Sequence, residues 1–218
     1  MKPPPMDTRT VLLQAALACF SERGFDGASI RMIALRAQRP LSLLSHYFGS
    51  KEELYLEVFT YLIEKFYCKA TEPVPVPVGP PQDRDEAIRF LREQIHRLYL
   101  ITVQKFFSDD PLREAATRLW LQEVRSPRQI LVPLLKEASQ PRTESLRQAI
   151  QFLRPDLQPG EVNFVGASLT GQVACHGLMH GYNRLLWGPE EFPGSAHDAC
   201  EMLVDLWLKG LLGNAPGQ

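Results

Sequence analysis

The stretch TVLLQAALACFSERGFDGASIRMIALRA, residues 10–37, decides the reading together with LSLLSHYFGSKEELYLEVF, residues 41–59. Apolar side chains recur at Leu12, Ala15, Ala16, Cys19 and Phe20. That is the period of a helix with one buried face. Gly24 predicts its end, as a glycine past a helix terminus does. Ser29 predicts an N-cap for a short helix from Ile30 to about Ala37, and Pro40 opens a third ending near Phe48. Ser50-Lys51-Glu52-Glu53 spells a capping box, with serine and glutamate each taking the other's orphan amide. The long helix it opens carries Leu54, Val58, Leu62 and Phe66 on one face and Tyr55, Phe59 and Ile63 beside it.

Outward from this stretch, helical periodicity continues. PVPVPVGPP at 73–81 cannot be helix, because each proline lacks an amide and biases its predecessor away from the α region. It is expected to form an extended connector. A stripe of Ile88, Leu91, Ile95, Leu98 and Thr102 predicts another helix. Asp110-Pro111 and Ser126-Pro127 are each expected to open a further one, since proline is tolerated at the first helical position. Shorter helices are expected over 143–153, a long one over 159–187 and a last one over 195–212. No period-2 segment competes. The expected fold class is all-α, with about ten helices.

The chain has 218 residues, of which 44% are hydrophobic and 22% charged. It can therefore bury a real core, which excludes an intrinsically disordered chain. Four scattered cysteines, with no CxxC pair, exclude a disulfide scaffold and a zinc knuckle. No apolar run reaches the roughly 18 residues of a membrane span, and MKPPPMDTR lacks the apolar core of a secretory signal. A soluble, reduced, cytoplasmic protein with no membrane association is expected. The net charge of −1 hides an asymmetry. Residues 1–51 hold seven Lys/Arg against three Asp/Glu, and the remainder 17 against 22. A basic end on an acidic body suggests that this end meets a polyanion.

A helix, a short helix, a tight turn at 37–40 and a third short helix have the dimensions of a helix-turn-helix, whose second member lies in the major groove. A small packed helical cap fits that spacing equally well. The residues decide between them. Ala15-Ala16, Phe20, Gly24-Phe25, Ser29-Ile30, Ile33-Ala34, Ala37, Leu44, Tyr47-Phe48, Ser50-Lys51-Glu52 and Leu54 together resemble the DNA-binding region of the TetR family of transcriptional regulators. PDLQPGEVNFVGASLTGQVACHGLMHGYNRLLWG, residues 155–188, is similar to the C-terminal part of that family's CecR-like branch. The resemblance implies a helix-turn-helix DNA-binding domain over 1–51 and an effector-binding and dimerisation domain over 52–218. Within the latter a connecting helix is expected over 51–70 and a Pro-rich linker over 71–83.

The implied function is that of a dimeric, sequence-specific transcriptional repressor, not an enzyme, released from its operator by a small, largely apolar ligand. Carried over by the resemblance, Ser29 caps the second helix near a phosphate, and Arg31 is placed at the groove rim. Leu41, Ser42, Leu43, Ser45 and His46 form the exposed part of the recognition helix, while Tyr47 and Lys51 hold the phosphate backbone. Phosphate contacts set register, and base-edge contacts set sequence. Three departures matter. Gln38 stands where the family has glycine in the turn, Arg39 replaces an apolar residue, and Ser45 replaces a tyrosine. These motivate an alternative reading: a ligand-binding or interaction protein of the same fold, with lost or altered DNA specificity.

Partners implied are a double-stranded DNA operator, a small-molecule effector and a second copy of the chain docked through the last two long helices. Gly166, Gly171, Gly177 and Gly181 each cost a helix interior about 1 kcal/mol, which close approach of another helix or a ligand would offset. Met202, Leu203, Leu206, Trp207 and Leu211 give the last helix an ample apolar face. Candidate ligand contacts are His96, Tyr99, Phe106, Trp120, Gln122, Phe152, Gln172, His176 and His180, which mix aromatic walls with polar groups on apolar stretches. His176 and His180 have the spacing of metal ligands, but HGLMH lacks the glutamate of a zinc hydrolase and no third ligand is evident. No metal and no cofactor are expected.

Overall fold

The computed structural model describes residues 7–68, 79–106, 110–188 and 196–213; side chains at 66–68, 100–106, 176–178, 180–181, 184 and 196 are not among those described. The described residues form ten α-helices: α1 Thr8–Gly27, α2 Ile30–Ala37, α3 Leu41–Phe48, α4 Lys51–Leu62, α5 Arg84–Phe106, α6 Pro111–Arg125, α7 Val132–Leu153, α8 Pro159–Leu178, α9 His180–Trp187 and α10 Ala196–Gly213. A π-helical turn, Ile63–Cys68, extends α4, and a 3₁₀ turn, Gln129–Leu131, precedes α7. The expected all-α class is the observed one. Most of the proline stretch at 73–81 lies outside the described residues.

Helix ends follow local chemistry. The Asp7 carboxylate accepts the Thr10 amide at 3.0 Å and caps α1. Gly24, at φ 69 and ψ 175, breaks α1 one turn before its end, and its carbonyl receives the Ala28 amide. The Ser50 hydroxyl accepts the Glu53 amide at 3.1 Å while the Glu53 carboxylate takes the Ser50 amide at 2.8 Å, completing the capping box. Asp110 accepts the Leu112 amide at 2.9 Å at the head of α6.

Three boundaries depart from expectation. Ser126-Pro127 does not open a helix. Ser126 ends α6, and the Glu123 carboxylate takes the Arg128 amide at 2.8 Å, so the next helix begins only at Val132. The helix expected over 143–153 is the second half of α7, which runs through Pro141. Hydroxyls one turn on bond the helix carbonyls: Thr143 donates to the Ser139 carbonyl at 3.0 Å, and Ser145 to the Pro141 carbonyl at 3.1 Å. The long helix expected over 159–187 is broken at Met179 into α8 and α9.

The chain forms two compact units. The first comprises residues 1–70 and 108–138, the second residues 71–107 and 139–218. In the first, α1 packs on α2, α4 and α6. Its core holds Leu12, Leu13, Ala16, Leu17, Phe20, Ile33, Leu44, Phe48, Leu54, Tyr55, Val58 and Phe59, with Leu119 and Leu131. At about 25 cal/mol per Å² of apolar surface, these side chains supply the main stabilisation of the three N-terminal helices. In the second unit, α5 packs on α8 and α10 around Leu91, Ile95, Tyr99, Ile150, Val162, Leu169, Val173, Cys200, Leu203 and Val204.

Candidate nucleic-acid interface

The turn between α2 and α3 positions the candidate reading surface. Gln38 closes α2 at φ 52 and ψ 45, the left-handed conformation. Its amide reaches the Leu35 carbonyl, and the Arg39 amide reaches that of Ala34, both at 3.1 Å. Leu44 and Phe48 anchor α3 in the core, at 2% and 5% exposure. With those two behind it, α3 turns Leu41, Ser42, Ser45, His46 and Tyr47 to solvent, while Leu43 is half-buried against the core. The His46 and Tyr47 rings meet edge to face, with centroids 5.3 Å apart. Five of the positions expected to touch DNA, Leu41, Ser42, Ser45, His46 and Tyr47, are thus exposed on α3, whereas Leu43 is not.

Ser29 accepts the Met32 amide at 3.2 Å and is exposed, as is Arg31 on the first turn behind it. The amides of Ile30 and Arg31 precede the first intrahelical acceptors, so the head of α2 keeps donors suited to an anion. Gly49 follows α3 at φ 68. A Cβ there would lie 2.3 Å from Glu53 Oε2, so side chain and capping box cannot coexist without a shift.

Lys51 is half-buried, with its ammonium 4.5 Å from the centroid of the Phe25 ring. The guanidinium carbon of Arg128 lies 4.7 Å from the same centroid. Phe25 also meets Tyr55 edge-on at 4.9 Å. Below it, the Tyr55 hydroxyl donates to buried Glu123 at 2.7 Å, and burial followed by that bond raises the tyrosine pKa. Arg128 donates to Asp26 at 2.7 Å, and that bond, against the opposing pull of burial, raises its own pKa. Its Nε stands 3.3 Å from Glu123, near enough for attraction but not aligned as a hydrogen bond. Arg36 is drawn away from the surface turn by Glu22 at 2.7 Å, whereas the side chain of Arg39 folds back onto the Gln38 carbonyl at 3.1 Å. Phe25, Glu123 and Arg128 escaped the sequence reading as a group. They are far apart in the chain, and only the (i, i+5) proximity of Glu123 and Arg128 hinted at it.

The candidate ligand contacts do not form one described cluster. Trp120 and Gln122 belong to the first unit. Trp120 packs 6.2 Å from Phe59, and Gln122 donates to the Ser21 carbonyl at 3.0 Å. His96, Tyr99, Phe152 and Gln172 belong to the second. Tyr99 is buried, Phe152 and Gln172 are exposed, and His96 is bonded to Glu201 at 2.6 Å. Gln172 accepts from the Trp207 indole and lines a shallow groove of about 260 Å³ with Arg154, Val165, Leu206 and Leu211. The side chains of Phe106, His176 and His180 lie outside those described. Gly171 faces open space, and a Cβ on Gly166 would meet Leu146 and Ile150 only at 3.6 Å. Gly177 and Gly181 lie among positions whose side-chain surroundings are not described. No helix among the described residues is long and apolar enough to cross a membrane.

Residues 12–58 match the family described as bacterial regulatory proteins, tetR family. The chain is 36% identical over 129 residues to the HTH-type transcriptional dual regulator CecR of Shigella flexneri, covering 53% of this chain and 57% of that protein. Over 52 residues it is 35% identical to the HTH-type transcriptional repressor AcnR of Corynebacterium efficiens, covering 24% of this chain and 28% of the relative. The matches therefore span about half the length of the first relative and about a quarter of the second. In fold, the chain is similar to a TetR-like transcriptional regulator from Rhodococcus sp. RHA1, with a TM-score of 0.60 and 20% identity over 98% of this chain and all of the other.

Proposed function

We propose that the chain, whose residues 12–58 match the tetR family of bacterial regulatory proteins, is a DNA-binding regulator of the repressor type that works as a homodimer. What carries this reading is the outward face of α3. Ser42, Ser45, His46 and Tyr47 are exposed together because Leu44 and Phe48 are buried behind them. Serine and imidazole groups bond base edges or phosphates, and leucine touches only apolar groups such as a thymine methyl. Ser29, Arg31, Tyr47 and Lys51 take phosphates, and Leu41, Ser42, Leu43, Ser45 and His46 face the groove. The basic balance of residues 1–51 favours approach to a polyanion.

Release follows when a small, largely apolar ligand binds the helical body and favours a DNA-incompetent conformation. The coupling is reciprocal, so operator DNA weakens ligand binding by the same factor. Within the second unit, His96, Tyr99, Phe152 and Gln172 are the candidate contacts, joined by Phe106, His176 and His180. The site of action is the cytoplasm, where the operator is found.

Footprinting on the DNA flanking its own gene tests the reading. A protected palindrome at low salt is the expected result, since two-fold symmetric half-sites mirror a two-fold dimer. Absence of protection at low salt would overturn it in favour of a ligand-binding protein that has lost DNA specificity. Gln38, Arg39 and Ser45 are the positions where that loss would have begun.

A further inference from the structure

A cluster in the second unit has no part in the DNA reading. His197 and Glu201 stand four apart on α10, and His96 reaches them from α5, which packs against that helix. The ligand-capable atoms of the three all lie within 4.8 Å of one another. His96 Nε2 is 2.6 Å from Glu201 Oε1, and the rings of His96 and His197 are 5.9 Å apart between centroids. Arg92 Nη1 holds the other carboxylate oxygen, Oε2, at 2.6 Å, and Arg92 Nη2 lies 3.6 Å from Asp205.

We propose that His96, His197 and Glu201 form a binding site for a divalent transition-metal ion of the Zn²⁺ type, clamping α5 to α10. Two imidazoles and one carboxylate are a zinc ligand set, leaving a fourth tetrahedral position for water or a small anion. Bonds of about 2.0–2.2 Å put neighbouring tetrahedral ligand atoms roughly 3.3–3.6 Å apart. The His96–Glu201 pair must therefore open by about 1 Å, and the widest separation in the cluster must close by a similar amount. Both adjustments are of a size that side-chain torsions reach. The ion takes the place of the hydrogen bond between His96 Nε2 and Glu201 Oε1. Arg92 serves as an outer partner, fixing the carboxylate so that Oε1 faces the imidazoles. Asp205, which Lys209 also approaches at 3.9 Å, draws on the other arm of Arg92, and Glu201 supplies the anionic ligand of the site.

The test uses the full-length, untagged chain, stripped with a chelator and titrated with ZnCl₂ against a chromophoric competitor. Binding of one Zn²⁺ per chain is expected, weakened at least tenfold by His197→Ala and by Glu201→Gln. His197 is exposed and Glu201→Gln keeps the side-chain volume, so both variants should retain the apo helical circular dichroism. Co²⁺ in place of Zn²⁺ should give tetrahedral ligand-field absorption in the parent and lose it in both variants. A His176→Ala/His180→Ala double variant should bind as the parent does. Absence of stoichiometric Zn²⁺, uptake indifferent to His197 and Glu201, or uptake lost only in the double variant would each overturn the proposal. These outcomes are independent of whether the chain binds DNA.

Discussion

Gln38 holds a left-handed backbone at φ 52, where its Cβ crowds the following carbonyl. Among the described residues it is the one non-glycine with positive φ. Glycine would adopt this conformation without the clash, though with more freedom to lose on folding. Gln38→Gly is therefore expected to stabilise the chain by about 0.5–1 kcal/mol, read as a rise in urea midpoint at unchanged slope. A fall in the midpoint would mean that the side chain supplies more than the strain removes. Lys51 makes a different residue-scale case. Its ammonium rests on the Phe25 ring at 4.5 Å, so the ring fixes the charge at the head of α4 rather than letting it range through solvent. Lys51→Ala should weaken binding to all DNA sequences alike and lower the salt slope by about one unit. Altered sequence preference with an unchanged slope would remove Lys51 from the phosphate contacts.

At the scale of elements, α4 and α6 are joined through Tyr55 and Glu123. A buried carboxylate persists only when its oxygens are bonded, and Glu123 receives the Tyr55 hydroxyl at 2.7 Å and the Arg128 amide at 2.8 Å. Tyr55→Phe keeps the ring contacts with Phe20, Phe25 and Phe59 but leaves one carboxylate oxygen short of a donor. A loss of about 1–2 kcal/mol in chemical denaturation is expected. A neutral result would mean that water replaces the hydroxyl. What the sequence made legible at this scale was whatever local chemistry decides. The Gly24 break, the Ser29 cap, the Ser50–Glu53 box and the Asp110 cap each depend on residues within a few positions. Other boundaries turn on side chains that bond backbone groups four or five residues away and override the simpler proline signal: Glu123 fastens the Arg128 amide ahead of α7, and Thr143 and Ser145 bond the carbonyls of Ser139 and Pro141. His176 and His180 stood out in the sequence as an i, i+4 pair, whereas the equally spaced His197 and Glu201 did not. The third member of the latter cluster, His96, lies about a hundred residues away, and no periodicity announces such a partner. The face of α3 was legible because burial of Leu44 and Phe48 forces its neighbours outward.

At the scale of the whole molecule, most of the exposed large apolar side chains among the described residues belong to the second unit. Phe164 on α8, Tyr182, Leu185, Leu186 and Trp187 on α9, and Met202 and Leu206 on α10 are each more than half exposed. Single exposed leucines are ordinary, but so many large apolar side chains on consecutive helices signal an interaction surface. A second copy of the chain suits it, because a two-fold dimer presents two recognition helices to successive half-sites. Leu206 is 60% exposed, so Leu206→Glu places a carboxylate in solvent in the single chain but in an apolar seam in the proposed homodimer. The variant should retain parental helical circular dichroism yet elute as a monomer when light scattering reports its mass. Its affinity for a palindromic operator should fall well over tenfold, while affinity for an isolated half-site stays near that of the parent. If Leu206→Glu remains dimeric, the seam does not include this part of α10. A variant that becomes monomeric without losing palindrome affinity would instead separate dimerisation from operator binding.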